Sequence, residues 1–132
     1  MATTDPIADM LTCLRNALAV HKDTVTIPHS NLREAIAKLL QQEGYLGEVK
    51  VITADKFPVL QMNLKYSSKG QSVIQGIRRV SKPGQRIYSA TNRLRPVLGG
   101  VGISVVSTSA GLMTNYRAKQ KGLGGEILFK IW

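Results

Sequence analysis

A chain of 132 residues with 43% hydrophobic residues and only 5% aromatics can bury roughly 70% of its unfolded surface, as one compact domain or two small packed ones. No apolar run approaches the roughly 18 residues of a membrane helix, and Met1-Ala-Thr-Thr-Asp-Pro lacks the basic flank and apolar core of a secretory or transit signal. Net charge is +10, from 18 Lys and Arg against 8 Asp and Glu, and the single Cys13 excludes an internal disulfide and favours a reducing compartment.

In chain order, Asp5 and Pro6 have the form of an N-cap and first helical residue. Ile7, Met10, Leu11, Leu14 and Leu18 keep helical spacing, which predicts a helix to about Val20. Val25 and Ile27 alternate with Thr24 and Thr26 as a short strand that Pro28 stops. A second helix is capped by Ser30 or Asn31, carries the stripe Leu32, Ala35, Ile36, Leu39 and Leu40, and ends at Gly44. The period then falls to two. Val49 and Val51 around Lys50, and Leu60, Met62 and Leu64 around Gln61 and Asn63, predict two strands joined by a turn at Ala54 to Pro58. Ser67-Ser68-Lys69-Gly70-Gln71 is the most polar short stretch and is expected to be a flexible junction.

Beyond it strands dominate. Residues 73–80 are expected as one strand and Arg86 to Ser89 as its return, around a Lys82-Pro83-Gly84-Gln85 turn. A short helix is expected over Asn92 to Leu98. Ile103 to Val106, β-branched apart from Ser104, reads as a buried strand ending in the hydroxyls Ser107, Thr108 and Ser109, where Gly111 turns the backbone. Thr114 caps a brief helix through Lys121. Glu126 to Trp132 is a closing strand, with Ile127, Phe129 and Ile131 on one side and Leu128 and Lys130 on the other. The expected fold class is α/β (α+β) in two small domains. Residues 1–66 read helix-strand-helix-strand-strand, and residues 72–132 are mostly β with short helices.

Charge is divided unevenly between these halves. Residues 1–56 carry six basic and seven acidic groups, whereas residues 57–132 carry twelve basic groups and Glu126 alone, a net of +11. A fold so concentrated in positive charge repels itself, and a polyanionic partner is the simplest reason to tolerate it. Lys82, Arg86, Arg93, Arg95, Arg117, Lys119 and Lys121 are the phosphate candidates. Glu126 can accept from a base amino group, orient a neighbouring Arg, or be an ordinary strand carboxylate.

Catalysis and cofactor chemistry find no support. Ser107-Thr-Ser109-Ala-Gly111 comes near a nucleophile elbow, but Ser107 takes the first Gly position and both histidines, His21 and His29, precede it. Two His and one Cys have no ligand-like spacing for a metal. His29 reads as a solvated loop residue or a phosphate contact. Gly122-Leu-Gly124-Gly125 is too short for a dinucleotide loop and precedes a strand. A generic basic DNA-binding domain is the rival, but it wants a basic recognition helix, and the cations here are spread over strands and loops.

Asp5-Pro-Ile-Ala-Asp-Met-Leu, Asn16-Ala-Leu, Ile27-Pro-His-Ser, Glu43-Gly-Tyr, Ser81-Lys-Pro-Gly-Gln-Arg-Ile-Tyr88, Ser107-Thr-Ser-Ala-Gly-Leu-Met-Thr114 and Gly124-Gly-Glu-Ile occur in this order along nearly the whole chain. Together they resemble the family of the eighth protein of the small ribosomal subunit, bacterial type. That resemblance implies a non-enzymatic structural constituent of the small subunit that binds the central domain of its ribosomal RNA and helps assemble the platform. It implies the fifth and twelfth small-subunit proteins as neighbours, translational repression of its own operon through a messenger RNA in some bacteria, no cofactor and no membrane. It places the protein on ribosomes of a bacterial cytoplasm or a plastid. By the same resemblance, Ser107, Thr108 and Ser109 enter an irregular RNA minor groove, with Tyr88 and Gly124-Gly125-Glu126 beside them.

The chain departs from the family pattern at several positions. Cys13 stands where Arg is typical, and Asn31 where Lys commonly follows the Ser. Ala110 replaces a basic or polar residue, Asn115-Tyr116 a frequent Asp-Arg, and Phe129 a Cys. The first domain and the outer edge of the hydroxyl loop are therefore less charged than expected. Tyr116 either stacks on a sugar or base or is a half-buried helix-surface residue.

Overall fold

A computed structural model of the chain describes residues 5–54, 56–91, 94, 97 and 100–132. It divides into two compact units, Met1–Val73 and Ile74–Trp132. In the first, α1 (Pro6–Ala19), β1 (Thr24–Pro28), α2 (Asn31–Gln42), β2 (Leu46–Ala54) and β3 (Phe57–Leu64) follow in the expected order. Asp5 caps α1 by accepting from the Ala8 N–H at 3.2 Å, and Ser30 rather than Asn31 caps α2 by accepting from the Arg33 N–H at 3.1 Å.

The three strands form an antiparallel sheet in the order β1-β3-β2. Leu60, Met62 and Leu64 are buried along one face of β3, with buried Ile27 opposite Leu60. A bulge in β2 between Leu46 and Val49 lets Leu46 pair with Leu64 while Val49 pairs with Met62. Residues three apart thereby face the same side, so Leu46 is buried although it is out of phase with Val49 and Val51. The turn after β2 is shorter than expected, because Ala54 already pairs with Phe57 and Thr53 with Pro58.

The buried face of α2 is rotated from the expected stripe. Ile36, Ala37 and Leu40 are buried, whereas Ala35 is exposed and Leu32 is 38% exposed. Arg33 is the cause, since residues 33, 36, 37 and 40 share one helical face. Its Nε donates to the Pro6 carbonyl at 3.2 Å and its Nη1 to the Pro28 carbonyl at 3.0 Å, with the Asp9 carboxylate 3.8 Å away. An Arg stem packs as an apolar rod, which hydropathy alone ranks below Leu32.

The polar stretch Ser67 to Gln71 closes a turn. Ser67 N–H donates to the Gln71 carbonyl at 2.7 Å, Gly70 N–H to the Ser67 carbonyl at 2.9 Å, and Tyr66 bridges Ser72. Gly70, at φ +80°, supplies the left-handed step.

In the second unit β4 (Ile77–Arg79), β5 (Tyr88–Ser89), β6 (Ile103–Thr108), β7 (Gly111–Thr114), α3 (Asn115–Gln120) and β8 (Gly125–Ile131) build an antiparallel sheet in the order β4-β8-β6-β7, with β5 also on β8. Of the strand expected over residues 73–80, only β4 forms, and it does not pair with its expected return. β4 and β5 lie end to end along the same edge of β8, Ile77 opposite Ile131 and Tyr88 opposite Glu126. Between them the chain makes an excursion. Its tip is the expected turn, where Lys82 and Gln85 exchange two backbone hydrogen bonds of 2.9 Å. Its neck is the buried Ser81 hydroxyl, which accepts from the Ile87 N–H at 2.8 Å and donates to the Ile87 carbonyl at 3.1 Å.

β7, a strand absent from the sequence reading, follows the hydroxyls directly. α3 is capped by Thr114, which accepts from the Arg117 N–H at 3.1 Å, and buried Asn115 accepts from the Ser104 N–H at 3.1 Å to tie the helix to β6. The expected alternation of β8 fails at Leu128. A register shift between Val105 and Val106 makes Leu128 the extra residue, and Leu128 and Phe129 are both buried. The helix expected over 92–98 falls mostly outside the described residues. Leu94 is buried against Val106, Met113 and Ala118.

At the first turn of α2, Glu34 accepts from Lys38 Nζ at 2.6 Å and meets His29 Nε2 at 2.7 Å. His29 is therefore engaged, not solvated, with its side chain 17% exposed. The Lys38 hydrogen bond first, and then that of His29, hold the Glu34 carboxyl below its ordinary value of 4.5. A depressed folded pKa contributes stability that is present above the unfolded value and lost as pH falls through the folded one. Glu34→Gln should lower the urea midpoint at neutral pH, with the gap from wild type closing as pH falls below the ordinary carboxyl value of 4.5. A gap that persists undiminished through the acid range contradicts this account.

Candidate nucleic-acid interface

The bulge at Leu128 decides which side chains meet. Past it, the pairing runs Val106 with Ile127 and Ser107 with Glu126, while Glu126 also faces Tyr88 on β5 and Ser107 faces Leu112 on β7. Directly opposed residues share a face of the sheet. Tyr88, Glu126 and Ser107 thus form one cross-strand row, spanning two interstrand spacings of about 4.8 Å each. Without the bulge Glu126 would lie on the other face, because a one-residue slip inverts the alternation.

Each member of the row has a distinct chemistry. Tyr88 is 70% exposed and offers a ring face. The Glu126 side chain is 15% exposed and held by Arg86 Nη1 at 3.1 Å, in an ion pair whose Arg is 48% exposed. The Arg86 pair fits one of the alternatives the sequence left for Glu126, a carboxylate that orients a neighbouring Arg. Ser107, partly exposed, adds a hydroxyl that can both donate and accept.

The hydroxyls that follow are not equivalent. Thr108 pairs with Gly111 across a two-residue loop of Ser109 and Ala110. Its Oγ1 donates to the Gly111 carbonyl at 2.8 Å and accepts from the Ala110 N–H at 3.1 Å. Gly111 takes φ +109°, a conformation that suits a residue without Cβ. Thr108 thus closes the turn, with Ser107 on the row and Ser109 at the exposed tip.

Gly124 and Gly125 have a packing role. A Cβ on Gly125 would meet the Ser107 carbonyl, and one on Gly124 would sit 2.5 Å from the Ser89 carbonyl. Both neighbours are backbone, so β8 can come this close to β5 and β6 only without side chains here.

The cations divide by position. Arg86 joins the row. Lys82 sits on the excursion turn, within a cavity shared with Arg78, Arg79 and Lys130. Arg117 stands exposed on α3, whose Ala118 packs on Val106 and Met113, the face opposite Ser107. Arg93 and Arg95 lie outside the described residues. The sequence reading did not single out Arg78 and Lys130, whose proximity depends on the β4–β8 register. Among the described residues no three His, Cys, Asp or Glu side chains are grouped to hold a metal ion, and no helix is long and apolar enough to cross a membrane.

Comparison with known proteins gives a concordant picture. The chain matches the family described as Ribosomal protein S8 over residues 5–132. It is 49% identical over 132 residues to the small ribosomal subunit protein uS8 of Halothermothrix orenii, 50% to that of Ruminiclostridium cellulolyticum and 48% to that of Corynebacterium glutamicum. In each case the similarity covers 100% of this chain and 100% of the relative.

The crowding at Gly125 makes a direct prediction. Gly125→Ala forces the Ser107 backbone away from β8, and overpacking of this kind costs about 1–3 kcal/mol. Urea denaturation should show that loss, and wild-type stability in the variant would mean that the strands have room to spare.

Proposed function

The chain belongs to the ribosomal protein S8 family, and from that premise we propose that its second unit reads a distorted segment of small-subunit ribosomal RNA through the row Tyr88, Glu126 and Ser107. It is a structural protein of the small ribosomal subunit and not an enzyme. RNA's deep major groove excludes side chains, so selectivity rests on unstacked bases, irregular minor grooves and 2′-hydroxyls. The row suits those targets: a ring face for stacking, a carboxylate that accepts from a base amino group, and a hydroxyl for a sugar or base edge. Ser109 at the hairpin tip extends it. Lys82, Arg86, Arg93, Arg95 and Arg117 supply phosphate attraction, which positions without selecting.

The proposed binding site is the central domain of the RNA, with assembly of the platform beside the fifth and twelfth small-subunit proteins as the consequence. Repression of its own operon would use the same row on a messenger RNA that mimics the ribosomal site. The proposed division of labour gives residues 72–132 the RNA and residues 1–66 a lesser share, in keeping with their balance of seven basic and seven acidic groups. The working place is a ribosome in the bacterial cytoplasm or a plastid.

The observation that carries this reading is the Arg86–Glu126 pair set between Tyr88 and Ser107 in one row. A generic DNA-binding domain fits less well, since α3 is only six residues long and a recognition helix must span the major groove.

Replacing Ser107 and Ser109 together by Ala should weaken binding to the cognate ribosomal RNA by about 1–3 kcal/mol with little change in salt slope. Full retention of affinity would sink the reading role. Arg86→Ala should weaken binding to every RNA and reduce the salt slope by about one; an unchanged slope would remove Arg86 from the phosphate contacts.

A further inference from the structure

The basic cluster toward the other end of β8 is left unexplained by the row. Arg78 on β4 stands directly opposite Lys130 on β8. Like charges so placed have Cβ atoms about 5 Å apart and destabilise the strand pair. Arg79 and Lys82 join them around a cavity of about 310 Å³ that no carboxylate lines. The only acid in residues 57–132 is Glu126, and it is engaged with Arg86.

The fold holds the Arg79 guanidinium and the backbone of Lys82. Arg79 Nε donates to the Ser81 carbonyl, and Lys82 sits on a turn closed by its two bonds with Gln85. The volume equals that of about ten water molecules, so a phosphate enters with part of its hydration. A guanidinium fork matches phosphate oxygens in pairs, and an ammonium adds a point charge beside it. An anion seated among these groups would turn the Arg78–Lys130 repulsion into a shared attraction.

We infer that this cavity seats a backbone phosphate of the bound RNA, as an anchor separate from the row that selects the site. The inference rests on the RNA-binding reading above. It assigns Arg78, Arg79 and Lys130 a role together with Lys82, and it commits the ligand to a phosphodiester of the RNA strand.

The test uses the full chain, small-subunit ribosomal RNA fragments and duplex DNA between about 50 and 200 mM salt. The double variant Arg78→Gln, Lys130→Gln removes the repelling pair. Its urea midpoint should therefore hold or rise, while the salt slope for ribosomal RNA falls by about two. Lys82→Gln, on the exposed turn, should lower the slope by about one and guards against a folding defect in the double variant. Sodium phosphate titrated at constant ionic strength should shift the amide resonances of Arg78, Arg79, Lys82 and Lys130 saturably, and bound RNA should abolish that response. Unchanged slopes in both variants, with wild-type preference for ribosomal RNA intact, overturn the anchor and leave the RNA reading standing. Absence of that preference in the wild type overturns the reading itself. A saturable phosphate response that RNA does not abolish, with slopes unchanged, marks a site for free anions only and also overturns the inference.

Discussion

The close approach of β8 to β5 and β6 is the constraint on which the second unit depends. Two glycines without side chains at the start of β8 and one extra residue at Leu128 allow it. The glycines bring the three backbones together, and the bulge sets the phase in which their side chains meet. Glu126 consequently faces Tyr88 on one side and Ser107 on the other, although the three come from separate segments. A carboxylate placed there is largely withdrawn from water, and Arg86 offsets that desolvation through an ion pair 3.1 Å long. The same shift buries Leu128 and Phe129 in succession, so the site and the core are fixed by one irregularity.

The proposed functions of selectivity and attraction thereby fall on different parts of one sheet. The row at the β5 end carries aromatic, carboxylate and hydroxyl groups, which in the proposed reading discriminate among RNA shapes. The cavity beside β4 gathers four cations, and in the proposed reading their charge attracts without discriminating. Both line the same strand, and the Lys82–Gln85 excursion is the segment that joins β4 to β5. Ser81 keeps that excursion closed with its two bonds to Ile87. The first unit, with eight basic against seven acidic groups, is built on ordinary helix caps, a bulged sheet and Arg33.

The sequence makes the element order of the first unit legible because its signals are local. Asp5, Ser30 and Gly44 mark helix ends within a few residues, and Leu60, Met62 and Leu64 declare a strand face by alternation. It misplaces the stripe of α2 because Arg33 packs by its stem, a use that hydropathy does not register. In the second unit the expected hairpin of residues 73–89 fails for a non-local reason, since both segments take β8 as their partner. β7 escapes notice because a four-residue strand of Gly, Leu, Met and Thr has no period to read. Ser107, Tyr88 and Glu126 are each visible as candidate residues through the family resemblance, but their alignment in one row is not, since it depends on a bulge whose position only the β6–β8 register reveals. Asn115 shows the same limit: a departure from the family's frequent Asp reads as lost charge, whereas in the fold its oxygen accepts the Ser104 N–H.

The central claim is that the row on β5, β8 and β6 makes the selective contact with RNA. Backbone amide shift mapping of the full chain, titrated with a small-subunit ribosomal RNA fragment at moderate salt, tests it most directly. The account predicts that the largest changes fall at Tyr88, Ser107, Ser109 and Glu126, and that they persist as salt is raised while changes at isolated surface cations fade. Changes confined to α3 and the first unit, with the row silent, would contradict it.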